Sequence, residues 1–253
     1  WCQTGRETLC DNLAGNVGRD LDGGYADYIK LPSNSFIKLP EGLDYKSNPA
    51  EIGVVTDAIA TPLKLINKAR IQPGESVTVI GAGGGLGIQM IAVAKWAKAQ
   101  VIAVDVRPEK FDTCRDAGAD KTVDVSDVDL ADVLIELTGG KGTDVVIDFV
   151  ANEKTLEGAA RALGKGGRLV ILGGGGMPNP FSISGNWIKG GEREILGNKY
   201  ASRAEVREAL DIVARGELWP IVTETCALEN VEELHQRLEN GLVIGRAAVL
   251  INP

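Results

Sequence analysis

Five of the seven residues from Gly81 to Gly87 are glycine (Gly81, Gly83, Gly84, Gly85 and Gly87, with Leu86 between the last two), and the next strand-like run closes on an acid, Asp105. Glycine tolerates positive φ and lets the backbone approach a phosphate without a Cβ in the way. Amide groups at the start of the helix that follows attract negative charge, so the turn can seat a pyrophosphate. A carboxylate at the tip of the second strand accepts hydrogen bonds from both ribose hydroxyls and repels a 2′-phosphate, which argues for NAD over NADP. Val106 and Arg107, just past the acid, are counted with it among the candidate cofactor-binding residues; an arginine there can favour a 2′-phosphate, and a solvated loop charge is the preferred reading of Arg107. Gly81, Gly83 and Gly87 give GxGxxxG, one residue longer than the familiar GxGxxG, and Gly81, Gly84 and Gly87 give GxxGxxG equally well. Which glycine meets the phosphates stays open.

Two further residue types could do chemistry. Cys2 and Cys10 stand either side of seven residues. Two thiols cannot close a tetrahedral zinc site, which needs four N or S ligands, so surface thiols and half of a metal site both remain possible readings. His235 is the single histidine; no histidine cluster can be built from this chain alone, and it is read as a structural residue. Cys114 and Cys226 lack metal-like spacing and are read as core or surface thiols.

The elements that must position these residues alternate. Strands are expected over 76–80, 101–104, 121–125, 144–150 and 168–172, with a sixth near 195–196. Helices fall between them, one opened by Pro108 and stopped by Gly118. That order predicts a parallel, doubly wound Rossmann sheet. Ligands bind beyond the carboxyl ends of such strands, so Gly81 to Gly87, Asp105, Phe149, Val150, Ala151, Leu172, Gly173, Gly174 and Gly175 should line one crevice. Ahead of the sheet, 49–69 reads as helical with Pro62 interrupting, and 25–31 and 35–38 read as short strands of a β-rich head. The tail is mixed, with a helix from N-cap Ser202 to Arg215 and a final strand over 246–251. Head and tail are expected to make one second domain. The expected boundaries are 1–57, 58–196 and 197–253.

With 253 residues, 44% hydrophobic and 25% charged, the chain can bury a large core. A formal charge of −8 argues against nucleic acid or an anionic membrane as partner. No apolar run is long enough to span a bilayer, and the expected compartment is the cytoplasm. Opening at Trp1 rather than at methionine, the chain reads as entered partway through, with an N-terminal segment lacking.

Together the stretches CQTGRETLC, GGYADYIKLP, TDAIATP, VIGAGGGLG, VIAVDVRPEK, GADKTVDV, GTDVVIDFV, GGRLVILGG and ENGLVIGRAAVLI resemble the zinc-dependent medium-chain alcohol dehydrogenases over nearly the whole chain. The resemblance implies an NAD-binding Rossmann domain joined to an incomplete, β-rich GroES-like catalytic domain. It makes Cys2 and Cys10 two ligands of a structural zinc and Asp57 a ligand of a catalytic zinc. It sets Thr61 against the nicotinamide, Lys110 at the ribose and Arg246 at the pyrophosphate. It implies hydride transfer between NAD and a primary or secondary alcohol, or an aldehyde or ketone in reverse, with zinc as Lewis acid, in a dimer or tetramer formed through 180–200. This chain alone is expected to bind NAD and to turn over alcohol poorly. A zinc-free quinone or enoyl reductase, a polyol dehydrogenase and a non-catalytic NAD-binding module are the alternative readings.

Overall fold

In the computed structural model, which describes residues 1–174 and 179–251, the β-branched runs become strands buried on both faces, as a parallel sheet covered by helices requires. The chain divides into two compact units, Trp1–Thr61 with the residues from Tyr200 onward, and Pro62–Lys199.

The first unit begins with loops and single 3-10 turns. Helix α1 spans Pro49–Ala58, with proline at a first-turn position. Ile59 separates it from α2, Ala60–Ala69, which leads into the second unit. That unit then runs β1 (Ser76–Ile80), α3 (Gly87–Trp96), β2 (Gln100–Asp105), α4 (Phe111–Asp116), β3 (Lys121–Asp124), α5 (Leu130–Leu137), β4 (Thr143–Asp148), α6 (Glu153–Ala162), β5 (Leu163–Ile171), α7 (Gly185–Gly191) and β6 (Glu194–Gly197). The chain returns to the first unit with α8 (Arg203–Ala214), β7 (Val222–Ala227), α9 (Val231–Glu239) and β8 (Arg246–Leu250).

All six strands of the larger sheet are parallel, in the order β3-β2-β1-β4-β5-β6. Successive strands are added to one side of β1 as far as β3 and to the other side from β4 onward, and this switch between β1 and β4 opens a crevice at their carboxyl ends. The doubly wound α/β expectation holds. One face of the sheet is filled by Ile80, Ile102, Val104, Val123, Leu130, Leu134, Val146 and Leu169, with Phe181, Ile183 and Trp187 packed against them. Side-chain caps set several helix starts: Asp129 accepts from the amides of Ala131 and Asp132, and Asn152 and Ser202 each make a reciprocal capping box.

Arg168 ties three of these elements together. Its Nε donates to the carbonyl of Ala69 at 2.9 Å, and its two terminal nitrogens grip Glu75 at 3.0 and 2.6 Å. The arginine is nearly buried, so the carboxylate is the charge that makes its position tolerable.

The head corrects the sequence reading. Residues 25–31 and 35–38 form no strand; a 3-10 turn at Ser33–Ser35 lies between them, and Tyr28 is 92% exposed. β propensity expresses packing against a paired neighbour rather than a backbone preference, and no strand among the described residues pairs with this stretch. The strands of the first unit are instead β7 and β8, which pair in parallel.

Candidate functional site

The glycine turn is fastened to β2 before it reaches the helix. Gly81 adopts φ +74, and the amides of Gly81 and Ala82 both donate to the carbonyl of Val104, at 3.0 and 3.1 Å. The carbonyl of Gly81 accepts from Gly84, and that of Gly84 accepts from Ile88. A Cβ on Gly87 would fall 2.1 Å from the Gly81 oxygen and 2.7 Å from that of Ala82, so helix and turn touch backbone to backbone. The amides of Gly85, Leu86 and Gly87 donate to no acceptor among the described residues. They stand at the positive end of α3, where an anion is stabilised. Gly83 is constrained from another side, because a Cβ there would meet the stem of Lys110 at 2.5 Å. Lys110 is itself buried.

Asp105 folds its carboxylate over the same turn. One oxygen accepts from the amide of Gly83 at 2.9 Å, and the other from Val106 and Arg107 at 2.9 and 3.2 Å. Arg107 lies 3.6 Å from Glu109, an acid on its own loop. Beside Asp105 opens a cavity of about 170 Å³ lined by Ile80, Gly81, Val104, Val125, Leu130 and Val150, with Asn152, Lys154 and Thr155 at its edge. An apolar slot next to a carboxylate suits a flat heterocycle attached to a sugar.

The far wall is the end of β4 and β5. Ala151 adopts φ 51. A Cβ on Gly173 would lie 2.2 Å from the Phe149 oxygen, where the strand ends nearly touch, and one on Gly174, at φ +77, would meet the Asn179 side chain at 2.5 Å and the Ala151 oxygen at 3.0 Å. The amides of Leu172 and Gly173 donate to the carbonyl of Asp148. Gly175, also expected in this wall, lies outside the described residues.

Asp57, Thr61 and Arg246 come together in the first unit. The Thr61 hydroxyl donates to one Asp57 oxygen at 3.0 Å and the Arg246 guanidinium to the other at 2.8 Å. Cys2 and Cys10 face each other as free thiols, and the neighbouring Cys10 sulfur raises the Cys2 thiol above its ordinary value. His235 meets the hydroxyl of Tyr25 at 3.0 Å. No group of three or more His, Cys, Asp or Glu that could hold a metal ion occurs among the described residues.

Residues 85–215 match the family model described as zinc-binding dehydrogenase. An alcohol dehydrogenase of Geobacillus stearothermophilus is 35% identical over 97% of this chain and 69% of its own length. The chain belongs to this dehydrogenase family. Further members agree: an NAD-dependent alcohol dehydrogenase of Sulfurisphaera tokodaii is 32% identical over 99% of this chain and 70% of its own. The crystal structure of the alcohol dehydrogenase from the hyperthermophilic archaeon Aeropyrum pernix superposes with a TM-score of 0.86 at 31% identity. It covers 97% of this chain and 70% of that one.

Within this family member, the inward-facing groups that sequence reasoning passed over are Asp148 and the slot residues Val125, Leu130, Asn152, Lys154 and Thr155. The slot draws on five separate segments, and its only local signal is the strand order. Asp148 stood in plain view as the single acid between the apolar residues of VVIDFV. It is fully buried and accepts from Val150, Ala151 and the Thr155 hydroxyl at 2.9, 2.8 and 2.7 Å. Those bonds hold the crevice wall in its turn.

Burial pushes the Asp148 carboxyl up, against the pull of its three donors. The native state therefore keeps a proton here that the unfolded chain has released, and stability falls as pH rises from the ordinary aspartate value through the raised one. Asp148→Asn preserves the acceptor for the two amides and cannot ionise. Its melting temperature relative to the parent is expected to climb with pH across that window; a pH-independent difference would contradict the assignment. Asp129, held low by the Arg161 guanidinium, works in the opposite sense and loses its contribution as pH falls.

Proposed function

We propose that this chain binds NAD across the carboxyl ends of β2, β1, β4 and β5 and serves hydride transfer between the nicotinamide and a primary or secondary alcohol, or the matching aldehyde or ketone. The observation that carries the reading is the row of undonated amides at Gly85, Leu86 and Gly87 with the Asp105 carboxylate anchored beside it. The pyrophosphate takes the amides at the mouth of α3. Asp105 receives the adenosine ribose hydroxyls, the apolar slot takes the adenine, and Lys110 and the turn at Phe149, Val150 and Ala151 flank the sugar and the second half of the dinucleotide. Leu172, Gly173 and Gly174 close the far side, where only glycine lets the strands approach so nearly. The alcohol dehydrogenase names of the relatives support the substrate class.

The residues present fit the dinucleotide and do not fit a catalytic metal. Asp57 is a single donor already ion-paired with Arg246, and no group of three or more His, Cys, Asp or Glu stands with it among the described residues, so no step here is routed through zinc. When bound, the dinucleotide supplies the hydride chemistry. This chain's own groups supply position: the amides and Asp105 fix the cofactor's adenosine half, and the close-packed wall excludes water from one side.

Isothermal titration with NAD and NADP tests the reading. Asp105→Ala is expected to weaken NAD by about tenfold, about 1.4 kcal/mol, and to narrow the preference over NADP, since a neutral side chain no longer repels the 2′-phosphate. Unchanged NAD affinity in this variant would remove Asp105 from the site. Absence of NAD binding to the parent would remove the site altogether.

A further inference from the structure

We propose that Asp57, Thr61 and Arg246 form an ion-paired clamp between the end of α1 and the start of β8, and that this clamp keeps the Asp57 carboxylate from acting as a metal donor in this chain. Asp57 occupies the last turn of α1, at a junction where Ile59 keeps right-handed helical backbone and α2 begins at Ala60. α1 has no basic residue in that turn to balance the carboxylate. The compensation arrives from far along the chain, 189 residues away, as the guanidinium of Arg246 at 2.8 Å. Arg246 is itself held in place: its carbonyl accepts from the Thr223 hydroxyl at 3.0 Å, and β8 pairs with β7. The second oxygen of Asp57 is claimed by Thr61, which is 2% exposed.

A carboxylate retains lone pairs after two such bonds, so the obstacle to a metal is charge rather than room. A divalent cation on Asp57 would sit against a guanidinium that cannot be deprotonated, with one negative charge shared between them. The described residues bring no cluster of further acids, thiols or imidazoles to redress that balance. Arg246 therefore occupies the electrostatic place that a bound cation would take. The inference stands apart from the dinucleotide reading, since neither result below depends on NAD.

The test uses the full 253-residue chain, thermal unfolding and zinc chloride as the probe. Asp57→Asn and Arg246→Gln are each expected to lower the melting temperature by about 1–3 °C, because solvent screens a pair whose carboxylate is more than a third exposed, and the double variant to lower it little further than either alone. Added zinc is expected to leave the parent's melting temperature unmoved, or to move it in a way that Asp57→Asn preserves and the Cys2→Ser, Cys10→Ser pair abolishes. Additive losses in the double variant would overturn the clamp. So would a zinc-dependent rise that Asp57→Asn abolishes while the cysteine variant keeps it. If Asp57→Asn fails to fold, Arg246→Lys answers instead: partial recovery relative to Arg246→Gln supports an ion pair, and no recovery overturns it.

Discussion

Gly87→Ala is expected to abolish detectable NAD binding and to destabilise the chain by about 3 kcal/mol, at the upper end of what overpacking a well-filled site costs. The new methyl would meet the carbonyl oxygens of Gly81 and Ala82 at 2.1 and 2.7 Å and the Ala82 carbonyl carbon at 2.8 Å. All three are backbone atoms, and Gly81 and Ala82 are tied to β2 through the Val104 carbonyl. No side chain can swing away to make room, so the helix must withdraw from the turn. That withdrawal spoils the row of amides at Gly85, Leu86 and Gly87. Gly83→Ala makes the comparison, because its methyl meets the Cδ and Cβ of the buried Lys110 at 2.5 and 2.6 Å, side-chain atoms of which the outer one can shift, rather than backbone carbonyls. It is expected to cost less stability. Denaturant unfolding and calorimetric titration of both variants check the contrast, and equal effects would show that backbone contact at Gly87 is not what limits the turn.

Arg168→Ala is expected to cost about 3 kcal/mol, the range seen when one partner of a buried pair is removed. Glu75 would be left part-buried without its counter-charge, and the Ala69 carbonyl at the end of α2 would lose its donor. Because the pair joins the end of α2, the approach to β1 and the middle of β5, the loss spreads beyond one contact. Arg168→Lys keeps the charge and loses the planar fork, so it is expected to recover only part of the stability. Urea unfolding at neutral pH decides this; a cost near zero would mean that the pair is solvated in solution. Neither substitution touches the proposed cofactor site, so NAD affinity at low temperature should survive in both.

The family match and the sheet order follow from features that are local in sequence. Glycines at a strand-to-helix turn, an acid closing the next strand, and helix caps such as Asp129 and Ser202 act within a few residues of where they stand. The doubly wound sheet was legible for the same reason: each strand is an apolar run and each connection a helix, and a right-handed crossover leaves few other arrangements. The ambiguity over which glycine does what was not local. What the tertiary structure adds is where a Cβ is refused, at Gly87 against the Gly81 and Ala82 carbonyls and at Gly83 against Lys110, contacts made only when the turn closes on its neighbours.

What the sequence by itself determined, then, is the alternating α/β unit, its glycine turn and Asp105, because these depend on backbone freedom and on periodic burial that neighbours in the chain share. Only the tertiary structure decided that Arg246 lies on Asp57 and Arg168 on Glu75, across 189 and 93 residues, since an arginine's partner is set by what packing brings within reach. Tertiary structure also decided that 25–38 forms no strand, because a strand exists only where another backbone completes its ladder.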